Sequence, residues 1–166
     1  MAAGATYTPI ATITASGSAS YVTFTAIPQT YTDLVMVIKA TGNTALYMLM
    51  QVGNGSVDTG TNYSYTAVYG TGSSAASNRG TNNTSMGDSY IDTSVPSANI
   101  YHFMNYSNTT TYKTRVMRNN VANNVSQAMV NLWRSTAAID TIKISSDSGQ
   151  TFASTSTFTL YGIASA

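Results

Sequence analysis

Polar and apolar residues alternate with a period of two along most of this chain, the spacing of strands that bury one face. Val22-Thr23-Phe24-Thr25-Ala26 alternates apolar with hydroxyl side chains. Leu46, Met48, Met50 and Val52 share one face of a segment, Ile142 and Ile144 flank Lys143, and Thr159 separates Phe158 from Leu160. The run from Leu34 to Ile38 is apolar at both parities and reads as a central strand covered on both sides. The pattern predicts strands over 8–14, 20–27, 33–40, 45–52, 63–69, 99–106, 111–118, 124–133, 139–145 and 156–163. Gly53-Asn54-Gly55, Asn119-Asn120, Asn123-Asn124 and Asp147-Ser148-Gly149 mark turns between them. Short strands punctuated in this way predict an all-β domain, a sandwich or barrel of about 8–10 antiparallel strands. It is expected to span 1–166 as a single unit, with residues 1–8 a candidate extended N-terminal arm. Residues 53–62 and 70–84, rich in Gly, Ser, Thr and Asn, read as two long loops, either binding loops or plain hairpin tips.

Composition sharpens that picture. Only 8% of the 166 residues are charged, none of them Glu, while 43% are hydrophobic; an average soluble domain carries about 25% charge. Thr, Ser, Asn, Gly and Tyr fill the gap, which favours strand over helix, since Lys and Glu are the usual residues of solvated helix faces. The net charge of +1 offers no electrostatic footprint for nucleic acid or an anionic membrane. Charge so close to zero favours self-association instead. With no cysteine there is no disulfide and no thiolate chemistry. The opening Met1-Ala-Ala-Gly-Ala-Thr6 lacks the basic and apolar regions of a signal peptide, so no export signal is expected. No apolar run approaches the ~20 residues of a spanning helix.

Few residues offer chemistry. Asp58-Thr59-Gly60 and Asp147-Ser148-Gly149 imitate the paired signature of aspartic proteases, in which two carboxylates share one proton. Each here follows a Ser-containing loop rather than an apolar strand, so turn formation explains them better. His102, the single histidine, lies on the strand face of Ile100 and Met104 with no Gly-x-Ser-x-Gly elbow or cysteine to serve as a nucleophile's setting. One histidine and no Glu leave few metal ligands. We therefore expect no enzyme, cofactor or metal. Lys113, Arg115 and Arg118 form the one basic cluster, the first two sharing a strand face and Arg118 on the other. They read either as a solvated strand surface or as interface anchors. Among the twelve tyrosines, Tyr63, Tyr65 and Tyr69 gather in or beside one strand. They suit protein contacts and sugar stacking, or simply cover a sheet face that Lys and Glu would otherwise occupy. Met36, Met48 and Met50 sit at core parity as gap-fillers. The Asn-x-Ser/Thr triplets at Asn62, Asn105 and Asn124 are what chance produces in so Asn- and Thr-rich a chain.

Three stretches together carry a resemblance. They are Ser20-Tyr-Val-Thr-Phe24 followed by Ile27-Pro-Gln-Thr-Tyr-Thr-Asp-Leu-Val35; Asn62-Tyr-Ser-Tyr65 with Tyr69-Gly-Thr-Gly-Ser-Ser74; and Leu132-Trp133, Thr136-Ala-Ala-Ile139 and the closing Ser156-Thr-Phe-Thr-Leu-Tyr-Gly-Ile163. Over roughly residues 10–163 the chain resembles small virion structural proteins of tailed, cyanophage-like bacteriophages. The resemblance implies a jelly-roll-like β-sandwich found on capsid surfaces or at fibre tips. Since the domain takes up nearly the whole sequence, it implies a capsid decoration, or cement, protein on the outer surface of the virion. Its partners would then be the major capsid protein and itself, as a homotrimer at the lattice's three-fold sites. The alternative implied is a tail-fibre or receptor-binding module for host-surface glycans. The shared motif marks strands and transfers no site residue; Tyr63, Tyr65, Tyr69, Lys113, Arg115 and Arg118 remain the candidate contacts.

Overall fold

The computed structural model describes residues 6–164. They form thirteen strands: β1 (Tyr7–Thr14), β2 (Tyr21–Phe24), β3 (Asp33–Ala40), β4 (Leu46–Asn54), β5 (Ser56–Val57), β6 (Tyr63–Gly70), β7 (Ala75–Asn83), β8 (Met86–Ile91), β9 (Ser97–Met104), β10 (Lys113–Val121), β11 (Val125–Trp133), β12 (Thr141–Ser146) and β13 (Thr157–Ile163). Every ladder is antiparallel. One sheet has eight strands in the order β1-β13-β3-β9-β10-β11-β6-β7. The other has five, β2-β12-β4-β5, with β8 also paired to β4.

The order contains a familiar frame. In chain order β1, β2, β3 and β4 alternate between the sheets, as do β8, β9, β12 and β13. They pair as β1-β13-β3-β9 on one side and β2-β12-β4-β8 on the other. That arrangement is an eight-strand jelly roll. Two hairpins are inserted into it, β6–β7 between β4 and β8, and β10–β11 between β9 and β12, and both add to the β9 edge of one sheet. One sheet is thereby doubled in width while the other stays narrow. The all-β sandwich expected from periodicity, and its jelly-roll character, are what the structure has.

The core is the set of inner-facing positions that alternation marked. Leu34, Met36, Ile38, Tyr101, Phe103, Phe158 and Leu160 come from the wide sheet; Val22, Phe24, Met48, Met50, Val52, Ile142 and Ile144 come from the narrow one. Phe152, from the β12–β13 connection, packs edge-on against Phe158 with ring centroids 5.2 Å apart. Gly55 turns the chain from β4 back into β5 with φ at 74°, a conformation that Gly adopts without strain.

Several boundaries move. The expected strand 20–27 stops at Phe24, and Ala26 turns with a positive φ of 53°. The expected loop 70–84 is mostly β7, and part of 53–62 is β5; β8 had no expected counterpart. β7 carries Ala, Ser, Asn, Arg, Gly and Thr with no apolar alternation, and is exposed along most of its length because the narrow sheet does not reach it. Backbone pairing with β6, rather than burial, forms this strand. Of the arm expected over 1–8, only the last residues are described. Tyr7 and Thr8 pair with Ile163 and Gly162 in β1, while residues 1–5 lie outside the described residues. Finally β3 is central, between β13 and β9, but its outer face is covered only in part: Val35 there is 5% exposed and Val37 41%.

Candidate functional site

The candidate residues from the sequence scatter. Lys113 and Arg115 do share a face of β10, but that face is the core, and each is 1% exposed. Both the solvated surface and the interface anchor are corrected for these two. The Lys113 ammonium donates to the carbonyls of Thr111 (2.7 Å) and Thr136 (3.1 Å), and burial lowers its pKa. Arg115 donates through Nε and Nη2 to Asn131 Oδ1 at 2.9 and 2.7 Å. Its guanidinium lies 4.6 Å from the Tyr101 ring centroid and touches the sulfurs of Met50 and Met117. No carboxylate faces it among its partners, and burial pulls its pKa down to about 10. Periodicity could not reveal this, because a long cation at core parity has the same spacing as one at surface parity. Of the three, only Arg118 is on the surface.

Tyr63 is also removed from any contact surface. It is fully buried, and its single hydroxyl proton is shared between the carbonyls of Asp58 (2.8 Å) and Val52 (3.0 Å) while the oxygen accepts from Val52 N–H at 3.2 Å. Asp58 beside it ties down the β5–β6 connection. Its carboxylate accepts from Trp133 Nε1, Asn62 Nδ2 and Gly60 N, each at 2.8 Å. Burial acts to raise its pKa, and these bonds outweigh it so that the value falls below the ordinary one. The Asp58 contribution to stability is therefore present above pH ~4 and is lost as pH falls through the lowered folded value. Asp58→Ala is expected to cost about 1–3 kcal/mol in urea unfolding, because it orphans the Trp133 N–H. Asp147 accepts from Tyr47 N and Ser148 Oγ, a turn role. His102 Nε2 lies 2.8 Å from Asp33 Oδ2 on the outer sheet face, the satisfied position expected of it. Among the described residues no three His or Asp side chains converge to hold a metal ion.

Two features remain at the surface. The first is the outer face of the wide sheet. Cross-strand neighbours there run Val68, Ala128, Arg118, Ile100, Val37 in one row and Thr66, Val130, Val116, His102, Val35, Tyr161 in the next. Val37, Ile100, Met104, Val116, Val130 and Val68 are 37–57% exposed. Arg118, the Asp33–His102 pair, Arg79, which faces Thr66 from β7, and Lys39, two residues on from Val37, are the charges set into this face. The rows bound a shallow groove of about 620 Å³.

The second is a cleft of about 420 Å³ where the wide sheet outruns the narrow one. Its floor is the inner face of β6 and β11, with Tyr65, Ala67, Tyr69, Val125 and Gln127. Its wall is the free edge of β8, with Asp88 and Tyr90, and the neighbouring Tyr47 of β4. Tyr47 and Tyr90 are cross-strand partners whose rings meet edge to face, centroids 5.5 Å apart. Tyr65 is fixed by two close approaches: a Cβ on Gly80 would come within 2.4 Å of its ring, and one on Gly87 within 3.0 Å. Tyr65 and Tyr69, singled out from the sequence, line this cleft together with Tyr47, Asp88 and Tyr90, which the sequence reading did not pick out. Tyr47 and Tyr90 occupy the outward parity of their strands, and the strand holding Asp88 was not recognised.

No protein-family model matches this chain, and no curated protein does. Among solved structures, it is similar to galectin-Ib of Xenopus laevis at 6% identity and a TM-score of 0.39, over 84% of this chain and 98% of that one. It is also similar to CG-16, a homodimeric agglutinin from chicken liver, at 10% identity and a TM-score of 0.34, over 80% of this chain and 99% of that one. Likeness at this level transfers neither a ligand nor a residue role.

Proposed function

We propose that the protein is a capsid decoration protein of a tailed bacteriophage, bound to the outside of the major capsid shell as a homotrimer that cements neighbouring shell subunits. The observation that carries this reading is the outer face of the eight-stranded sheet, an apolar field with few charges on a stiff β scaffold. Exposed apolar patches of this kind on small domains mark protein contacts. Docking its middle against a shell strands little charge, since Arg118 is the cation between Val68 and Val37, Asp33 and His102 already satisfy each other, and Arg79 and Lys39 lie toward the margins, on the edge strand β7 and near the end of β3. The low charge of the whole chain and the resemblance to phage virion proteins point the same way. No catalytic step is part of this role, which is mechanical: each copy bridges shell proteins and resists internal pressure.

Quantitative mass spectrometry of purified virions should find hundreds of copies per particle; a handful per particle would place the protein elsewhere and end this reading. Val116→Asp on the outer face should leave the isolated domain folded, because Val116 is exposed. It should reduce retention on virions at least ~10-fold, the cost of about 1.4 kcal/mol or more from desolvating an unpaired carboxylate.

A further inference from the structure

From the cleft between β8 and the overhanging β6–β7 hairpin we infer a saccharide-binding site, taking a neutral pyranose, and distinct from the outer sheet face. The inference does not rest on capsid docking, since the cleft opens on the inner side of the wide sheet. Three properties carry it. The first is its aromatic surface. Tyr47, Tyr65, Tyr69 and Tyr90 line one concavity, Tyr47 44% exposed and the other three half-buried, so that ring faces and hydroxyls are both presented. The C–H faces of a sugar ring pack on such rings, and the phenol hydroxyls meet its polar rim. The second is Asp88. It is half-buried between these rings, and apart from its own backbone N–H no hydrogen-bond donor holds its carboxylate among the described residues. A carboxylate accepts at up to four sites, and a pair of adjacent sugar hydroxyls would supply the donors it lacks. The third is a set of amides, Asn78, Asn124 and Gln127, around the same cavity. An amide both donates and accepts, which matches hydroxyls, groups that also do both. Asn78 already donates to the Tyr65 hydroxyl at 3.2 Å, holding that ring in place.

A cationic ligand is the competing chemistry, because Asp88 is ringed by aromatics and Asp147 is close enough to raise its pKa further. The amides argue against it. An organic ammonium offers no acceptor, and would leave their N–H groups without partners on entering the cleft. A pocket of about 420 Å³ has room for one to two sugar rings and falls in the range of small-molecule sites.

The site also changes where a host-glycan reading would live in this fold. Tyr63 is excluded, and Tyr47, Asp88 and Tyr90 take its place.

The test is an array of neutral mono- and oligosaccharides probed with the full chain, followed by calorimetric titration of the best disaccharide hits. Binding is expected in the micromolar to millimolar range. Asp88→Asn keeps the side-chain shape and should weaken it ~10-fold, the loss expected for a charge-assisted hydrogen bond. Tyr90→Ala, an edge-strand side chain, should abolish measurable binding, and Val116→Asp on the outer face should leave it unchanged. Circular dichroism of each variant establishes that the fold survives. No saccharide bound by the wild type overturns the site, as does saccharide binding indifferent to both Asp88→Asn and Tyr90→Ala. Binding of tetramethylammonium in preference to any sugar overturns the ligand class. None of these outcomes bears on the virion copy number, so the cleft and the docking face fail or stand separately.

Discussion

Asn131→Leu should destabilise the fold by about 3–5 kcal/mol, the cost of stranding a buried charge. Asn131 is the main oxygen acceptor for Arg115, taking two of its N–H groups at 2.9 and 2.7 Å. Without it the guanidinium keeps only the Met50 and Met117 sulfurs, the Tyr101 ring and a long contact of 3.4 Å to the Gly87 carbonyl. Sulfur accepts weakly, and the site is closed to water, with Arg115 and Asn131 each 1% exposed. The effect belongs to the unpaired charge rather than to the lost amide, and a double variant separates the two. Arg115→Met combined with Asn131→Leu replaces both polar groups with apolar ones of similar length among Met50, Met117 and Met129. It is expected to recover to within about 1–2 kcal/mol of the wild type, since apolar replacement of buried charged groups is often neutral or better. Arg115→Met alone should cost about 1–3 kcal/mol by leaving Asn131 Oδ1 without its donor. Urea unfolding followed by circular dichroism measures all three. A double variant no more stable than Asn131→Leu would show that packing around residue 131, and not the guanidinium, sets the cost.

Alkali should unfold the protein well before acid does. Burial raises the pKa of Tyr63 and Tyr101, both fully buried, and those of Tyr47, Tyr65 and Tyr106 as well. In the unfolded chain these phenols lose their protons near pH ~10. Above that pH the folded state binds more protons than the unfolded one, so stability falls as pH rises. Each phenol that stays protonated in the fold removes about 1.4 kcal/mol per pH unit. Arg115 works in the opposite sense: with its folded pKa lowered to about 10, the unfolded state binds the extra proton above that point, and the burial penalty is relieved. Two fully buried phenols outweigh that single group. On the acid side Asp58 loses its contribution below pH ~4, while Asp88, whose pKa burial and Asp147 raise, shifts the balance the other way. Melting temperature should be nearly flat between about pH 5 and 9 and fall steeply above ~10. A Tyr63→Phe, Tyr101→Phe double variant should move the alkaline limb upward. If its limb coincides with that of the wild type, other groups drive the transition.

Much of the fold was legible because a strand that buries one face writes its own parity. Met48, Met50 and Val52, or Phe158 and Leu160, are inner residues wherever their strand is placed, since the pleat has period two. The turns at Gly53-Asn54-Gly55 and Asp147-Ser148-Gly149 were legible for a similarly local reason: Gly55 and Gly149 have φ values of 74° and 71°. The β7 strand had no such mark. Lying beyond the narrow sheet, it has no face to bury, so nothing selects an apolar alternation, and its Ser-, Asn- and Gly-rich composition reads as loop. The site was less legible than the fold. Tyr65 and Tyr69 could be picked out by clustering, but Tyr47 and Asp88 are forty-one residues apart, and only the β4–β8 ladder makes their strands neighbours.

The sequence by itself determined the class of fold, the inward positions and the poverty of acid–base chemistry, because these depend on local periodicity and on residue counts. Tertiary structure alone decided which sheet each strand joins, and with that what each polar residue does. Lys113 and Arg115 share one strand face, which spacing alone leaves as surface or core, and they become core cations because β10 turns that face toward β8 and the narrow sheet. The overhang that makes the tyrosine cleft arises where two inserted hairpins widen one sheet and leave the other unchanged. That is a mismatch between layers, and strand spacing along a single chain carries no record of the layer opposite.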